Sequence, residues 1–175
     1  SVTTQKEIRQ RGAESLETIL AYTSGVFVNE FGSDLRYDNF RIRGFDSLSQ
    51  GVYRNGLPLR GFNFLVSRIE PYAVDRVEVL KGPNSSLFGL VQPGGLVNVI
   101  TKRPTDEPFR EIYTSLGPGH VELGFDITDR FTKNSDWSYR LTAKYQDSEA
   151  SFDFSKDDRV YVGAAVSWRP SERTD

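Results

Sequence analysis

The sequence predicts an α+β unit, with a small mixed β-sheet and short helices, followed by a run of antiparallel strands. Three observations lead there. Apolar residues at helical spacing are confined to the first two dozen positions, the period drops to two after Gly25, and from about Glu107 the chain reads as all-β.

Thr4 followed by Glu7 has the spacing of a capping box and marks a helix entry. A second helix is expected from about Ala13 to Ser24, where Leu16, Ile19, Leu20 and Thr23 share a face and Gly25 supplies a stop. Val26-Phe27-Val28 and Phe40-Arg41-Ile42-Arg43 are short strand candidates. Val52-Tyr53-Arg54 runs into Asn55-Gly56, a tight-turn signal, and Leu57-Pro58-Leu59 leaves it. Val74 to Leu80 alternates, with Val74, Arg76, Glu78 and Leu80 on one side and Asp75, Val77, Val79 and Lys81 on the other. Leu96 to Thr101 is the last strand before Lys102-Arg103-Pro104.

Four longer strands follow: Phe109–Leu116, Val121–Thr128, Trp137–Asp147 and Arg159–Arg169. In the third, Trp137, Tyr139, Leu141, Ala143 and Tyr145 oppose Ser138, Arg140, Thr142, Lys144 and Gln146. One apolar face with aromatics near the strand ends suits an outer-membrane barrel wall. A soluble meander packed on the first domain fits the same pattern.

Composition narrows the function. Hydrophobic residues make up 37% of the 175, enough for a core, and no run of about 18 apolar residues marks a transmembrane helix. The chain has no cysteine, which removes disulfides, thiolate nucleophiles and sulfur-ligated metals. It has no methionine and begins at Ser1, so a mature product or an excised piece is expected, with any signal peptide removed. The net charge of −2 is uneven: residues 1–104 sum to +3 and residues 105–175 to −5. No Lys/Arg stripe points to nucleic acid. His120, the single histidine, lies in a Gly-Pro-Gly-His turn and reads as a solvated surface residue. There is no phosphate loop, Asp157-Asp158 sits at a turn, and no catalytic or metal-binding constellation is expected.

One stretch carries far more information. Arg76-Val77-Glu78-Val79-Leu80-Lys81-Gly82-Pro83 leads to Phe88-Gly89, then Pro93-Gly94-Gly95, then Asn98-Val99-Ile100-Thr101-Lys102-Arg103-Pro104. This resembles the plug of TonB-dependent receptors. Arg41-Ile42-Arg43-Gly44-Phe45, the Tyr53–Leu59 hairpin and the Thr3–Ala13 entry helix resemble further parts of the same plug, in the same order. The likeness covers residues 1–104, and residues 105–175 fit the first strands of the barrel.

The resemblance implies a plug inside an outer-membrane barrel of about 22 strands. It implies a ferric-siderophore receptor of the Gram-negative outer membrane, energised by TonB through a TonB box upstream of Ser1 and in contact with outer-membrane lipid. Haem, cobalamin or a glycan is the alternative cargo, and a soluble plug-like binding or signalling module the alternative class. Iron would arrive as the ferric siderophore, not as a protein-bound cofactor. By the same resemblance the plug-loop apices, Phe31, Ser47-Leu48-Ser49 and Phe62-Asn63-Phe64, would floor the ligand site. Arg43 and Lys81 would lock the plug to glutamates of the barrel wall. Gly44, Arg76, Glu78, Gly82, Pro83, Gly89, Gly94 and Gly95 are assigned to holding the fold.

Overall fold

The computed structural model describes residues 1–30, 32, 36–47, 50–60, 68–83, 88–89, 91–133, 135–150 and 155–170. The chain divides into two compact units, Ser1–Thr101 and Lys102–Asp175.

In the first unit the elements run β1 (Val2–Thr4), α1 (Gln5–Gln10), α2 (Leu16–Leu20), β2 (Val26–Val28), β3 (Phe40–Ile42), β4 (Phe45–Asp46), β5 (Val52–Arg54), β6 (Leu57–Pro58), β7 (Val74–Lys81) and β8 (Gly95–Thr101). A mixed five-stranded sheet has the order β1-β7-β8-β5-β6, its only parallel pair being β5 with β8. A small antiparallel sheet has the order β2-β3-β4. The mixed sheet and short helices are those the sequence predicts.

Three local differences have physical causes. Residues 2–4 form an edge strand on β7, with Val2 opposite Glu78, where the sequence suggested only a helix entry. Thr4 then caps α1, and its capping box with Glu7 is present as expected. The second helix is five residues long, not twelve. Ser15 and Thr18 exchange backbone bonds as a box at its start, and Thr23 N–H turns to the Leu20 carbonyl at 2.8 Å, a three-residue closure that ends it.

The third difference concerns β7. A bulge between Val74 and Arg76 breaks the strict alternation, so Val74 joins Val77 and Val79 in the core, all three buried. Val97 and Val99 of β8 meet them, and Leu16, Ile19 and Leu20 of α2 belong to the same cluster with Phe40 and Ile42.

Helix α2 is held by a reciprocal clamp. Leu16 N–H donates to Asp38 Oδ1 at 3.0 Å, and Asn39 N–H donates to Glu17 Oε1 at 2.6 Å. The second Asp38 oxygen accepts Ile69 N–H at 3.1 Å, so one buried carboxylate fastens three chain segments. Burial pushes the Asp38 carboxyl above the usual carboxylate range, against the pull of the Ile69 amide, Arg68 and the Leu16 amide.

The second unit is an antiparallel meander of β9 (Phe109–Gly117), β10 (His120–Arg130), β11 (Trp137–Ser148) and β12 (Arg159–Trp168). Its faces are reversed relative to a water-soluble sheet. Ile112, Leu116, Leu123, Val160, Val162 and Val166 are exposed, whereas Asp126, Thr128, Thr142, Lys144 and Gln146 are buried. Trp137 and Trp168 are register partners whose rings stack at 5.6 Å, and Phe131 meets Tyr139 at 5.2 Å, giving an aromatic rim at one end of the sheet.

Replacing Asp38 by alanine strands two amide donors, at about 1–3 kcal/mol for each buried group left unmade. Asp38→Ala should therefore loosen α2 and residues 68–70 by about 2–4 kcal/mol; unchanged hydrogen exchange at the Leu16 and Ile69 amides would contradict this. The pH dependence follows from the raised carboxyl. Its folded pKa exceeds its unfolded one, so its contribution is full below the ordinary carboxylate range and is lost as pH rises through the raised value. Asp38→Asn should abolish that component, seen as a flatter stability-versus-pH curve.

Candidate functional site

The motif fragments that are far apart in sequence meet at one end of the first unit. Gly82 N–H donates to the Gly94 carbonyl at 2.9 Å, and Arg43 N–H to the Gly25 carbonyl at 2.8 Å. These bonds join residues 81–82 to 94–95 and residues 43–44 to 24–25, and the Lys81–Ser24 hydrogen bond links the two pairs. The glycine pair is what lets them close. A Cβ on Gly94 would sit 2.1 Å from the Ile42 carbonyl oxygen, and one on Gly95, whose φ is +132°, would sit 2.2 Å from the Leu80 carbonyl oxygen.

Two cations stand at this junction. Arg43 takes a left-handed φ of 52° before Gly44 at 85°, and its guanidinium approaches Gly82. Lys81 Nζ donates to Ser24 Oγ at 2.8 Å. Among the described residues no carboxylate lies within ion-pair distance of either.

At the other end of β7 and β8 the polar letters of the motif are occupied with one another. Arg76 Nε donates to Glu78 Oε1 at 2.8 Å and Arg76 Nη1 to Asp75 at 3.1 Å. The other Glu78 oxygen accepts Asn98 Nδ2 at 3.3 Å, and Asn98 Oδ1 accepts Gly56 N–H at 3.0 Å. Asn55 and Gly56 have φ of 53° and 81°, as a two-residue hairpin turn requires, and Asn55 Oδ1 accepts Thr101 N–H at 3.0 Å. Arg76 and Glu78 are thus parts of a network that fixes the Asn55-Gly56 turn. Tyr53, buried, donates its hydroxyl to the Phe88 carbonyl at 2.9 Å and meets the Phe88 ring edge-on, tying the hairpin to Phe88-Gly89.

Of the expected ligand-floor residues, Phe31, Leu48, Ser49, Phe62, Asn63 and Phe64 lie outside the described residues. Ser47 is buried, its hydroxyl donating to the Phe40 carbonyl while its own carbonyl accepts Gly51 N–H at 2.9 Å. It closes the base of its loop.

In the second unit His120 opens β10 instead of standing in the turn, with Nε2 at 3.4 Å from Glu122 Oε2. Glu122 also takes Lys144 Nζ at 2.9 Å and the Tyr113 hydroxyl. The Tyr113 ring lies over Gly124, its register partner, where a Cβ would fall 1.8 Å from the ring. Further along the same face Asp126 gathers Lys102, Arg140 and Thr142. Sequence reading missed these clusters, although acids on the polar face of β10 opposite bases on that of β11 were the available signal.

Residues 1–96 match the TonB-dependent Receptor Plug Domain family model. The chain belongs to this family. It is 37% identical to the ferrichrome outer membrane transporter/phage receptor of Escherichia coli K12, over all of this chain and 24% of that protein. It is 30% identical to the ferrioxamine receptor of Yersinia enterocolitica, over 99% of this chain and 25% of the relative. The chain thus spans about a quarter of the length of these curated relatives. Among solved structures, the pyoverdine outer membrane receptor FpvA of Pseudomonas aeruginosa PAO1 superposes with a TM-score of 0.82 at 23% identity, covering 96% of this chain and 25% of that one. The closed form of the ferric-catecholate import receptor Fiu of E. coli K12 gives 0.80 at 25% identity, covering 96% of this chain and 23% of that one. These likenesses bear out the plug-and-strand fold.

A methyl group at residue 94 has nowhere to go, because the atom it meets is backbone. Gly94→Ala should destabilise a full-length receptor's plug by about 1–3 kcal/mol, and equal protection of Gly82 N–H in both proteins would refute this.

Proposed function

We propose that this chain is the plug and the first four wall strands of a Gram-negative outer-membrane receptor that imports ferric siderophores with energy from TonB. The observation that carries the reading is the family membership combined with the reversed sheet. A sheet with its apolar face outward and its acids, amides and lysines on the buried side is unstable in water and suited to a lipid-facing wall. The aromatic rim of Phe131, Trp137, Tyr139 and Trp168 suits a membrane interface. Relatives named for ferrichrome and ferrioxamine align along the whole chain, which supports a siderophore over haem, cobalamin or a glycan. We place the domain boundary near residue 104, close to the division of the two compact units after Thr101.

The siderophore carries the iron, and the chain contributes no ligand to the metal and no catalytic step. Its apices at Phe31, Leu48-Ser49 and Phe62-Asn63-Phe64 would meet the cargo, with Ser47 bracing the second of them. Aromatics and small polar groups suit a chelate with an apolar rim and oxygen donors. TonB would engage a segment upstream of Ser1 by strand addition. The junction cations supply the lock: among the described residues neither Arg43 nor Lys81 has a carboxylate within ion-pair distance, so glutamates of later wall strands are their natural partners. Leaving one member of a desolvated pair alone costs about 3–5 kcal/mol.

Two experiments test this. Titration of the detergent-purified full-length receptor with ferrichrome, ferrioxamine B, ferripyoverdine and a ferric catecholate should give tight binding to one class. Binding to haem or cobalamin alone would reject the siderophore assignment. For the lock, Arg43→Ala in the full-length receptor should raise sensitivity to large antibiotics; unaltered exclusion and unaltered uptake would count against it.

A further inference from the structure

The segment that follows β8 is fastened at three points to the buried face of β10 and β11. Lys102 Nζ lies 2.8 Å from Asp126 Oδ2, with the lysine side chain 2% exposed and the aspartate 0%. Arg140 grips the same carboxylate with two nitrogens, Nε to Oδ1 at 2.9 Å and Nη2 to Oδ2 at 2.7 Å. Thr142 Oγ1 donates to Oδ1 at 3.3 Å. The remaining Arg140 nitrogen, Nη1, donates to the Arg103 carbonyl at 3.0 Å, and Thr105 N–H donates to Thr128 Oγ1 at 2.9 Å.

The chemistry of this cluster separates it from a binding site. Both Asp126 oxygens are saturated by four donors from this chain, so none is left for a cargo. A two-pronged arginine–carboxylate contact is among the most directional of polar interactions, and burial makes it costly to open. Pro104, buried between the two fastened residues, fixes φ and has no N–H to satisfy. The side chain of residue 102, the carbonyl of 103 and the amide of 105 are each held by β10 or β11.

We propose that Asp126, with Lys102 and Arg140 as its partners, is a fixed anchor for the segment that follows the plug's last strand, so that any plug rearrangement during transport occurs N-terminal to residue 102. These are positioning residues: they touch no cargo and set the point about which the plug moves. The inference rests on the receptor reading above, and its tests are chosen to be separable from it.

The first test needs no cargo. Lys102→Met leaves Asp126 held by Arg140 and so spares the fold. In a full-length receptor in detergent it should speed amide exchange at residues 103–106 by at least about tenfold, without change along β10 and β11. Unchanged exchange at 103–106, or equal acceleration along the strands, would overturn the anchor.

The second test pins the segment. Thr105 and Thr128 present their hydroxyl oxygens 3.4 Å apart, close enough for a disulfide in Thr105→Cys/Thr128→Cys. With radiolabelled iron supplied as ferrichrome, ferrioxamine B or ferripyoverdine, the oxidised receptor should import within about twofold of its reduced form, as a segment that does not move tolerates a staple. Uptake lost on oxidation and restored by reductant would show that the segment must release, and would overturn the proposal. Absence of uptake by the wild-type receptor from every chelate would instead reject the siderophore reading, with the exchange experiment still deciding the anchor.

Discussion

The pairing of β7 with β8 is the constraint on which the first unit depends. Each flanking strand is attached through one of them: β1 lies on the free edge of β7, and β5, followed by β6, on that of β8. Their shared valines, Val74, Val77, Val79, Val97 and Val99, are the surface against which α2 packs. A β-branched pair of central strands gives a stiff, well-packed platform. The motif letters then fall into two groups by position. At one end the glycines let the turns touch, and at the other Arg76, Glu78 and Asn98 saturate the hairpin turn.

Much of this was legible in the residues. The Thr4–Glu7 box, the Asn55-Gly56 turn and the four long strands follow from local rules, because caps, turns and period-two patterns are set by neighbours in sequence. The β7 bulge was not legible, since it depends on Val74 entering a core assembled from several segments. The length of α2 was missed for a similar reason. The apolar spacing from Leu16 to Thr23 is helical on paper, but the start is fixed by the distant Asp38 carboxylate and the end by a three-residue turn at Thr23 that the spacing does not mark. Among site residues, Gly44, Gly82 and Gly94-Gly95 read as separate tight turns; their convergence was not legible, because it joins turns far apart in sequence. The Lys102 contact of the Asp126 cluster was hidden because it reaches across 24 residues from outside the meander's strands.

The two units solve burial in opposite ways. The first hides valine, leucine and isoleucine and keeps its buried acids, Glu17 and Asp38, on backbone amides. The second hides charge and presents aliphatic surface. Its buried groups are tolerable because they are matched in sign, Glu122 to Lys144 and Asp126 to Lys102 and Arg140.

The register of β1 on β7 also bears on how such a chain comes together. Val2 pairs with Glu78 and Val52 with Val97, whereas every pairing in the meander joins consecutive strands. Long-range closure is slow and local hairpins are fast. The meander can zip strand by strand, but the first unit must wait until Gly95–Thr101 has arrived before its sheet can form. Synthesised from the N-terminus, it is the first to emerge and the slower to close. Until then β5 and β7 lack their β8 partner and carry open hydrogen-bonding edges, the state most prone to association with other chains. A carrier that keeps those strands apart on the way to the membrane would act on this unit more than on the wall that follows it.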